Sequence, residues 1–338
     1  MKNIIPVFLI LVPAIVLGAQ PSQTSLPPKP AAPQPAAMTV QHIGGALYLV
    51  KGGSGANTAF YVGEKEVVAI DAKMTAEAAR EMLAEIGKVT PLPVKTLLIT
   101  HSDGDHVNGL PGFPGDLMIV SSTGAKKEME EAFQGEKFSE HRAYLPNKTY
   151  DSSLEIMLKL AGGNMAMITL HHFGPAHTSG DTVVVFHGEK AAFIGDLVFI
   201  GRDPLIHRAK GGTAFGYLET LKKLIGLSGV ETYLSGHADP LTKADLRALR
   251  QTLEEKTARV KALIAEGKTL EDVKAALLPP PSPGAPPSRW PSFVEIVYLE
   301  LTEKNRAVFK LYRGAGPTDF SGNESPKRSG ILFRNQAG

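Results

Sequence analysis

The sequence predicts an α/β fold, because short apolar stretches typical of β-strands alternate with segments of helical periodicity in two successive series along the chain. The chain has 338 residues, of which 43% are hydrophobic and 21% are charged, so it can bury the core of one large domain. Its formal net charge of +2 lacks the basic excess expected of a nucleic-acid-binding protein. We therefore expect a single α/β domain that does not bind nucleic acid.

The first 19 residues have the pattern of a signal peptide. A short basic start with Lys2 is followed by the nearly continuous apolar stretch 4–17, and Ala19 supplies the small residue that signal peptidase prefers. The apolar stretch is shorter than the ~20 residues needed to cross a bilayer, so we do not expect a retained anchor. Cleavage after Ala19 and a periplasmic or secreted location are predicted. With no cysteine, the exported chain must be stable without disulfides.

A Pro- and Ala-rich spacer, residues 20–37, is predicted to be disordered and to precede an ordered domain, residues 38–278. Period-two or continuous apolar patterns predict strands, and 3.6-residue periodicity predicts helices. The first series contains strands 43–50, 58–62, 67–71, 94–99 and 118–120 and helices 75–87 and 124–133. The polar segment 134–152 is predicted to be a surface excursion that could border the active site.

The second series contains strands 182–186, 191–195 and 232–236 and helices 217–225, 241–266 and 269–278. A Pro-rich loop and a C-terminal element, together residues 279–315, are expected to pack on the domain. Within this element, the pattern of residues 293–312 is compatible with either a helix or a strand. The polar tail 316–338 is predicted to be disordered.

Four side chains that can bind a metal stand within six residues, directly after the predicted strand 94–99. The segment reads His101-Ser102-Asp103-Gly104-Asp105-His106. On a short loop, imidazole and carboxylate groups can converge on one cation instead of pointing to alternate faces of a strand. Ionisable groups crowded after a buried strand would cost stability without a partner. The loop therefore predicts half of a metal site.

Three further ligand candidates stand alone at later junctions between strands and loops. His177 precedes a predicted strand, whereas Asp196 and His237 each follow one. Gly or small residues flank each of them, and these let the backbone approach a ligand closely. Because metal sites gather ligands from distant parts of a chain, we predict that the three residues complete a two-metal centre.

In this order the motifs resemble the metallo-β-lactamase superfamily, whose pattern is a His-x-His-x-Asp-His loop followed by a lone His, a bridging Asp and a final His. The resemblance extends from about Val40 to Leu278. A single match to the loop would mean little, but the ordered series is specific. The resemblance implies a four-layer αβ/βα sandwich with metals at the shared edge of two sheets, which the two series of strands and helices permit.

The resemblance also implies two divalent ions, for which zinc is the first expectation. The first ion would be held by His101, Asp103 and His177, and the second by Asp105, His106 and His237, with Asp196 bridging the two. Two ions about 3.5 Å apart lower the pKa of a shared water so that hydroxide is available near neutral pH. Asp105 is the candidate for orienting this water as well as binding metal.

Asp103 departs from the commonest family pattern, which has its second His at this position. With neutral imidazoles the usual centre has a net charge of about +1, and a third carboxylate brings it to about 0. A less positive centre should raise the pKa of the bound water, and the added oxygen donor shifts the metal preference toward manganese or iron. Because Asp is shorter than His, Asp103 could also bind the first ion through a water, or the first ion could be bound more weakly. We predict direct ligation.

A hydrolase follows from the resemblance, with metal-bound hydroxide attacking the carbonyl carbon of a small-molecule ester, lactone, thioester or amide. Hydrolysis of a phosphoester by the same hydroxide stays open. The chain lacks the Cys ligand found in some zinc β-lactamases, and Asp196 matches the bridging Asp of glyoxalase II-like and lactonase-like members. The alternatives are a zinc β-lactamase and a catalytically weak periplasmic metal-binding or redox-relay protein, whose protein partners the sequence does not identify.

The remaining polar residues near these motifs are interpreted without a ligand role. Surface or hydrogen-bonded positions are expected for His42, His141, His171, His172, His187 and His207, although His172 could support its neighbour His177. Asp181 either orients a ligand or caps a turn. Arg202, Asp203 and Tyr217 follow the Asp196 strand and face either the pocket or the surface.

Overall fold

The computed structural model describes residues 36–280 and 290–314, with side chains up to residue 303. The predicted signal peptide, the spacer up to residue 35 and the tail 316–338 lie outside the described residues, so these assignments stay predictions. No helix in the described part of the chain is both long and apolar enough to cross a membrane.

The first sheet has seven strands that lie side by side in sequence order. They are β1 (Thr39–Gly44), β2 (Leu47–Lys51), β3 (Thr58–Val62), β4 (Val67–Ile70), β5 (Val94–Leu98), β6 (Met118–Ser122) and β7 (Lys148–Tyr150). The pairs from β1 to β4 are antiparallel, and the pairs from β4 to β7 are parallel. The prediction of one strand over 43–50 was wrong, because Gly45, with φ of 50°, turns the chain between β1 and β2.

The second sheet has six strands in the order β13-β12-β11-β10-β9-β8. They are β8 (Ser153–Lys159), β9 (Met165–His171), β10 (Val183–Phe186), β11 (Ala191–Phe193), β12 (Thr232–Leu234) and β13 (Leu241–Thr242). All neighbours are antiparallel except β11 and β12, which run parallel. Sequence analysis did not predict the β8–β9 hairpin.

In residues 36–280 and 290–314, seven α-helices accompany the sheets. They are α1 (Ala76–Val89), α2 (Gly104–Val107), α3 (Thr123–Ala132), α4 (Ala214–Gly226), α5 (Lys243–Ala265), α6 (Leu270–Leu277) and α7 (Phe293–Gly314). Hydroxyl N-caps explain where several of them begin: Thr213 accepts from Gly216 N, so α4 starts three residues before the predicted boundary. Helix α7 resolves the ambiguity over 293–312 in favour of a helix.

Three separate apolar clusters divide the molecule into four layers. One cluster lies between the first sheet and α1 and α3, and another lies between the second sheet and α4, α5 and α7. The third lies between the two sheets and includes Leu98 from β5 and Val184 from β10. Neighbouring residues on one strand, such as Val184 and Val185, belong to different clusters, as side-chain alternation requires. The predicted αβ/βα sandwich is confirmed.

This topology brings the ends of four strands to one region. The parallel strands β4 and β5 end just before Asp71 and His101, and the parallel strands β11 and β12 end before Asp196 and His237. The segment 134–152 contains two short 3₁₀ turns and then β7, so it contributes a strand to the first sheet. His141 in this segment lies with its Nε2 3.1 Å from Asn108 O, next to the His101–His106 loop.

Candidate metal centre

The structure brings all seven predicted ligand candidates together. Their ligand atoms form two adjacent groups, each spanning no more than 4.8 Å: one contains His101, Asp103 and His177, and the other contains Asp105, His106, Asp196 and His237. The resemblance implied the same division, except that Asp196, the expected bridge, falls in the second group. The loop carrying the first cluster folds into α2, which turns His106 inward to full burial.

Each histidine on the His101–His106 loop donates from Nδ1 to a fixed acceptor. His106 Nδ1 lies 2.7 Å from Asp71 Oδ2, and His101 Nδ1 lies 3.0 Å from Thr100 Oγ1. The Thr100 hydroxyl already donates to Asp71, so it accepts from His101. When Nδ1 carries the proton of a neutral imidazole, Nε2 has a free lone pair. Both Nε2 atoms therefore offer lone pairs to the centre.

His177 has the same orientation although it comes from a different loop. Its Nδ1 lies 2.7 Å from the carbonyl oxygen of Leu205, which can only accept. Nε2 therefore faces the first group, 3.1 Å from Asp103 Oδ2, and has a free lone pair once the ring is neutral. Histidines that are oriented in this way by an acceptor behind the ring are typical of metal sites.

Asp196 lies between the two groups. Its Oδ1 is 3.0 Å from His106 Nε2, and its Oδ2 is 3.1 Å from His237 Nε2 and 3.9 Å from His101 Nε2. One carboxylate thus faces nitrogen atoms of both groups. Asp105 Oδ2 completes the second group at 3.0 Å from His237 Nε2.

The buried atoms of the centre fit a metal better than they fit one another. His101 Nε2, His106 Nε2 and Asp196 Oδ1 are buried and none of them makes a hydrogen bond of acceptable geometry, although the last two lie 3.0 Å apart as an ion pair. Leaving buried polar atoms unpaired costs about 1–3 kcal/mol each, so such a cluster indicates a missing partner. Imidazole nitrogens and carboxylate oxygens are ligands of zinc and other divalent transition metals. The donor set therefore fits divalent metal ions.

The histidines and carboxylates of the centre shift the pKa values of one another. Burial lowers the pKa of His177, but the carboxylates of Asp103, Asp181 and Asp196 together outweigh it, so that the pKa rises to about 9. At His237, burial is likewise outweighed by Asp105 and Asp196, and the pKa also rises to about 9. Burial alone would raise the pKa of Asp196, yet His106 and His237 hold it well below its usual range. A bound metal would displace protons from these pairs.

Glycine at position 236 lets the backbone approach the centre. A Cβ atom there would lie 2.5 Å from Asp196 Oδ1 and 2.9 Å from His106 Cε1. Gly195, with φ of 51°, allows a similar approach, because its Cβ would lie 2.9 Å from Thr100 Oγ1. The small residues beside Asp196 and His237 are therefore required by the packing of the centre.

Sequence reasoning missed four residues around the ligands. Asp71 and Thr100 orient histidines, and both follow neighbouring parallel strands, a placement that could have identified them. His207 and Lys210 contact Asp103 Oδ1 at 3.1 and 2.7 Å. They belong to a loop with a short 3₁₀ turn, and no sequence pattern connected them to Asp103. His207 is hydrogen-bonded, as interpreted, but its partner is a ligand candidate.

Several open interpretations are resolved. Asp181 accepts from Thr178 N and Oγ1 and so caps a turn, and His172 contacts the backbone of Asp181 without contacting the centre. Tyr217 is fully buried, and its hydroxyl donates to Leu197 O, so it does not face a pocket. Arg202 covers the ring of Phe199 at 4.1 Å, and Phe199 in turn stacks on His237. These two residues therefore lie beside the centre.

Comparisons with known proteins agree with the fold. Residues 52–237 match the model of the metallo-beta-lactamase superfamily. A hydroxyacylglutathione hydrolase, GloC, from Haemophilus influenzae is 30% identical over 192 residues, covering 53% of this chain and 83% of the relative. The alpha subunit of a 2,4-dinitroanisole O-demethylase from Nocardioides is 23% identical over 212 residues, covering 62% of this chain and 61% of that subunit.

A solved structure shows the same fold. A metallo-beta-lactamase from Pontibacter korlensis superposes with a TM-score of 0.52 at 18% identity, covering 64% of this chain and 99% of the other. The family match includes His101, Asp103, Asp105, His106, His177, Asp196 and His237. The α/β sandwich, the His and Asp clusters and the match over residues 52–237 together establish that the chain belongs to the metallo-beta-lactamase superfamily.

Proposed function

We propose that the protein is an exported metallohydrolase with two metal ions, which cleaves a carbonyl bond of a small molecule. The observation that carries the proposal is the common orientation of three histidines. His101, His106 and His177 each direct Nδ1 at a fixed acceptor, so Nε2 of each ring, once deprotonated, is the atom that binds a metal. The buried carboxylate of Asp196 faces both groups and supplies the proposed bridge.

The residues of the chain have separate roles in this proposal. When bound, a pair of divalent ions lowers the pKa of a coordinated water and polarises a substrate oxygen. Asp105, whose side chain is 22% exposed, is the carboxylate that can orient a water while its Oδ2 remains beside His237. His237 is the most exposed of the seven ligands, at 31% for its side chain, which makes its side of the centre the proposed route for substrate.

Thioesters are the first substrate class to test. The Haemophilus relative is named a hydroxyacylglutathione hydrolase, and acylglutathione is a thioester. The described side chains include no Cys, and none occurs elsewhere in the sequence, so the second position has nitrogen and oxygen donors only. Export is proposed from the N-terminal pattern of residues 1–19 and implies that the substrate is met outside the cytoplasm.

The proposal is tested by metal analysis of the full-length protein produced in a bacterium. We expect about two equivalents of zinc, manganese or iron and hydrolysis of a thioester, lactone or ester. The substrate panel also includes a phosphodiester, an aryl methyl ether and nitrocefin as a β-lactam. Turnover of nitrocefin alone would replace the proposal by a β-lactamase. A fully loaded centre without turnover of any substrate would favour a metal-binding or redox role.

One test variant and one control variant make the result specific. Asp196→Asn keeps the size of the bridging side chain but removes its charge, so we expect metal content and turnover to fall together. Asp239→Asn changes an exposed carboxylate that pairs with Lys51, and it should leave both unchanged. Fractionation of the producing cells and the mass of the protein test export, with Gln20 expected as the first residue of the processed chain.

A further inference from the structure

Asp103 divides its two oxygen atoms between a metal position and a lysine. Oδ2 faces the first group, 3.1 Å from His177 Nε2 and 3.9 Å from His101 Nε2. Oδ1 faces away from it and lies 2.7 Å from the ammonium group of Lys210 and 3.1 Å from His207 Nδ1. The carboxylate that replaces the family's second His is therefore already neutralised by a cation of the chain itself.

The charge count of the centre changes when Lys210 is included. The count from sequence alone gave a net charge of about 0 with both metals and hydroxide, and Lys210 returns it to about +1, the value of the usual centre. The compensation is local to the first group. In the described part of the chain, the ion pairs of Asp105 and Asp196 are all with histidines. The second group therefore keeps two carboxylates without a lysine or arginine partner.

We propose that Lys210 makes the two metal positions unequal, so that the ions bind in a fixed order. The position of Asp105, His106 and His237 fills first and holds its ion more tightly. The position of His101, Asp103 and His177 is weaker, because a dication there must approach a carboxylate that an ammonium group already neutralises. This inference rests on the proposed two-metal centre and assigns Lys210 as a residue that tunes the first position.

When Lys210 is replaced by a neutral residue, metal binding should change because the positive charge is lost and not because the side chains around Asp103 become disordered. His207 Nδ1 still contacts Asp103 Oδ1 in that case, so the orientation of the carboxylate is retained. His207 is itself held by ring contact with Trp290, with ring centroids 4.6 Å apart. Ser102, the other partner of Lys210 Nζ, keeps its hydrogen bond to Glu128. Removing a positive charge that lies 2.7 Å from the carboxylate of the first position should strengthen the binding of a dication there by about tenfold.

The test is a titration of metal-stripped full-length protein with Co²⁺, followed by calorimetry and by the visible spectrum of the bound ion. For wild type we expect two binding events whose dissociation constants differ by about tenfold or more. Lys210→Met and Lys210→Gln should tighten the weaker event by about tenfold and leave the tighter event unchanged. Lys210→Arg keeps the charge and should behave as wild type. Lys126→Met is the matched control: this partly exposed lysine on α3 pairs with Glu130 at 3.8 Å.

Each result decides the question. Two events of equal affinity in wild type, or a weaker event that is unchanged or loosened in both neutral variants, would overturn the inference. Circular dichroism and thermal unfolding of the metal-free variants show whether each has folded, and a neutral variant that unfolds is replaced by the other. Failure of wild type to bind Co²⁺ at all would instead refute the proposed metal centre. The two failures are therefore distinguishable.

Discussion

Asp71 Oδ2 lies 2.7 Å from His106 Nδ1 and also 2.7 Å from Thr100 Oγ1, which in turn contacts His101 Nδ1. One buried carboxylate thus orients a histidine of the second group directly and a histidine of the first group through a hydroxyl. The φ angle of Asp71 is 62°, a left-handed conformation that is uncommon outside glycine. A residue held in such a conformation behind two ligand candidates is placed to orient them without being a ligand candidate itself.

Asp71→Asn is predicted to weaken metal binding while leaving the fold intact. The amide matches the carboxylate in shape but has only one acceptor oxygen, and that oxygen is uncharged. The three donors that face Asp71, which are His106 Nδ1, Thr100 Oγ1 and Thr100 N, can therefore no longer all be satisfied. Loss of a carboxylate behind a metal-binding histidine typically costs 10- to 100-fold in affinity. The affinity is measured by competition with a chromophoric chelator. Asp116→Asn, at an exposed ion pair with Lys95, is the control, and equal affinities for the two variants would contradict the assigned role.

Gly236→Ala is predicted to disrupt the second metal position. The new Cβ would lie 2.5 Å from Asp196 Oδ1. The backbone cannot easily yield, because Gly236 N donates to Gly195 O and Gly236 O accepts from Asn57 N, at 2.9 and 2.7 Å. Overpacking of this kind costs about 1–3 kcal/mol. We expect lower metal content by elemental analysis and a lower melting temperature in the metal-loaded protein.

The control for this change is Gly87→Ala in α1, where an added Cβ meets nothing within 4 Å. Alanine should stabilise this helix by about 0.5–1 kcal/mol and leave metal content unchanged. If Gly236→Ala retains a full complement of metal, Asp196 and His106 are free to move in a way that their packing does not suggest.

The clustering of the seven candidate residues could be predicted from sequence because they stand at the ends of strands or in the loops beside them, which the fold brings to one edge of the sheets. Asp71 shares this property and could have been found. Lys210 and His207 could not, because their approach to Asp103 depends on how the loop before α4 packs on the centre. No local pattern of hydrophobic residues records such a contact.

The β8–β9 hairpin escaped prediction for a different physical reason. Met157, Met165 and Met167 leave 36–56% of their surface exposed, so the hairpin lacks a clean alternation of buried apolar and exposed polar residues. β8 is an edge strand, paired only with β9 in its sheet. By contrast, β3, β4 and β10 are almost wholly buried and were predicted to within one residue at each end.

Lys73 is predicted to make the free energy of unfolding increase with pH above neutrality. Its side chain is fully buried, and Nζ donates to Gly52 O and Ala56 O, each at 2.8 Å. Burial lowers its pKa from 10.5 to about 8, against the attraction of Glu81 and Asp71. Between these two values the unfolded chain binds a proton that the folded protein does not. Below pH 8 the buried, protonated Lys73 therefore lowers the free energy of unfolding by about 3 kcal/mol. This destabilisation is lost as the pH rises to 10.5.

Urea unfolding at about pH 7 and about pH 9.5 measures this dependence in wild type and in Lys73→Met, which cannot titrate. The difference between the two proteins removes the contribution of other groups. We expect the unfolding free energy of wild type to increase relative to that of Lys73→Met as the pH rises. A constant difference would mean that Lys73 keeps its ordinary pKa despite burial.

Glu300 on α7 is predicted to fix the start of α4. Its Oε1 accepts from Ala214 N at 2.8 Å, and its Oε2 accepts from the hydroxyl of the N-cap Thr213 at 3.1 Å. A carboxylate at a helix N-terminus satisfies free N–H groups and interacts favourably with the helix dipole. Glu300→Ala should lower the free energy of unfolding by about 1–3 kcal/mol in urea.

The matched control, Glu219→Ala, changes an exposed carboxylate on α4 whose ion pair with Lys222 is long, at 3.8 Å. It should alter stability by no more than about 0.5 kcal/mol. Because α4 begins directly after the loop that carries Lys210, Glu300→Ala should also loosen the contact of Lys210 with Asp103. If that contact determines the affinity of the weaker Co²⁺ binding event, Glu300→Ala should change the dissociation constant of that event alone. An equal change in both dissociation constants would mean that Glu300 affects the whole centre.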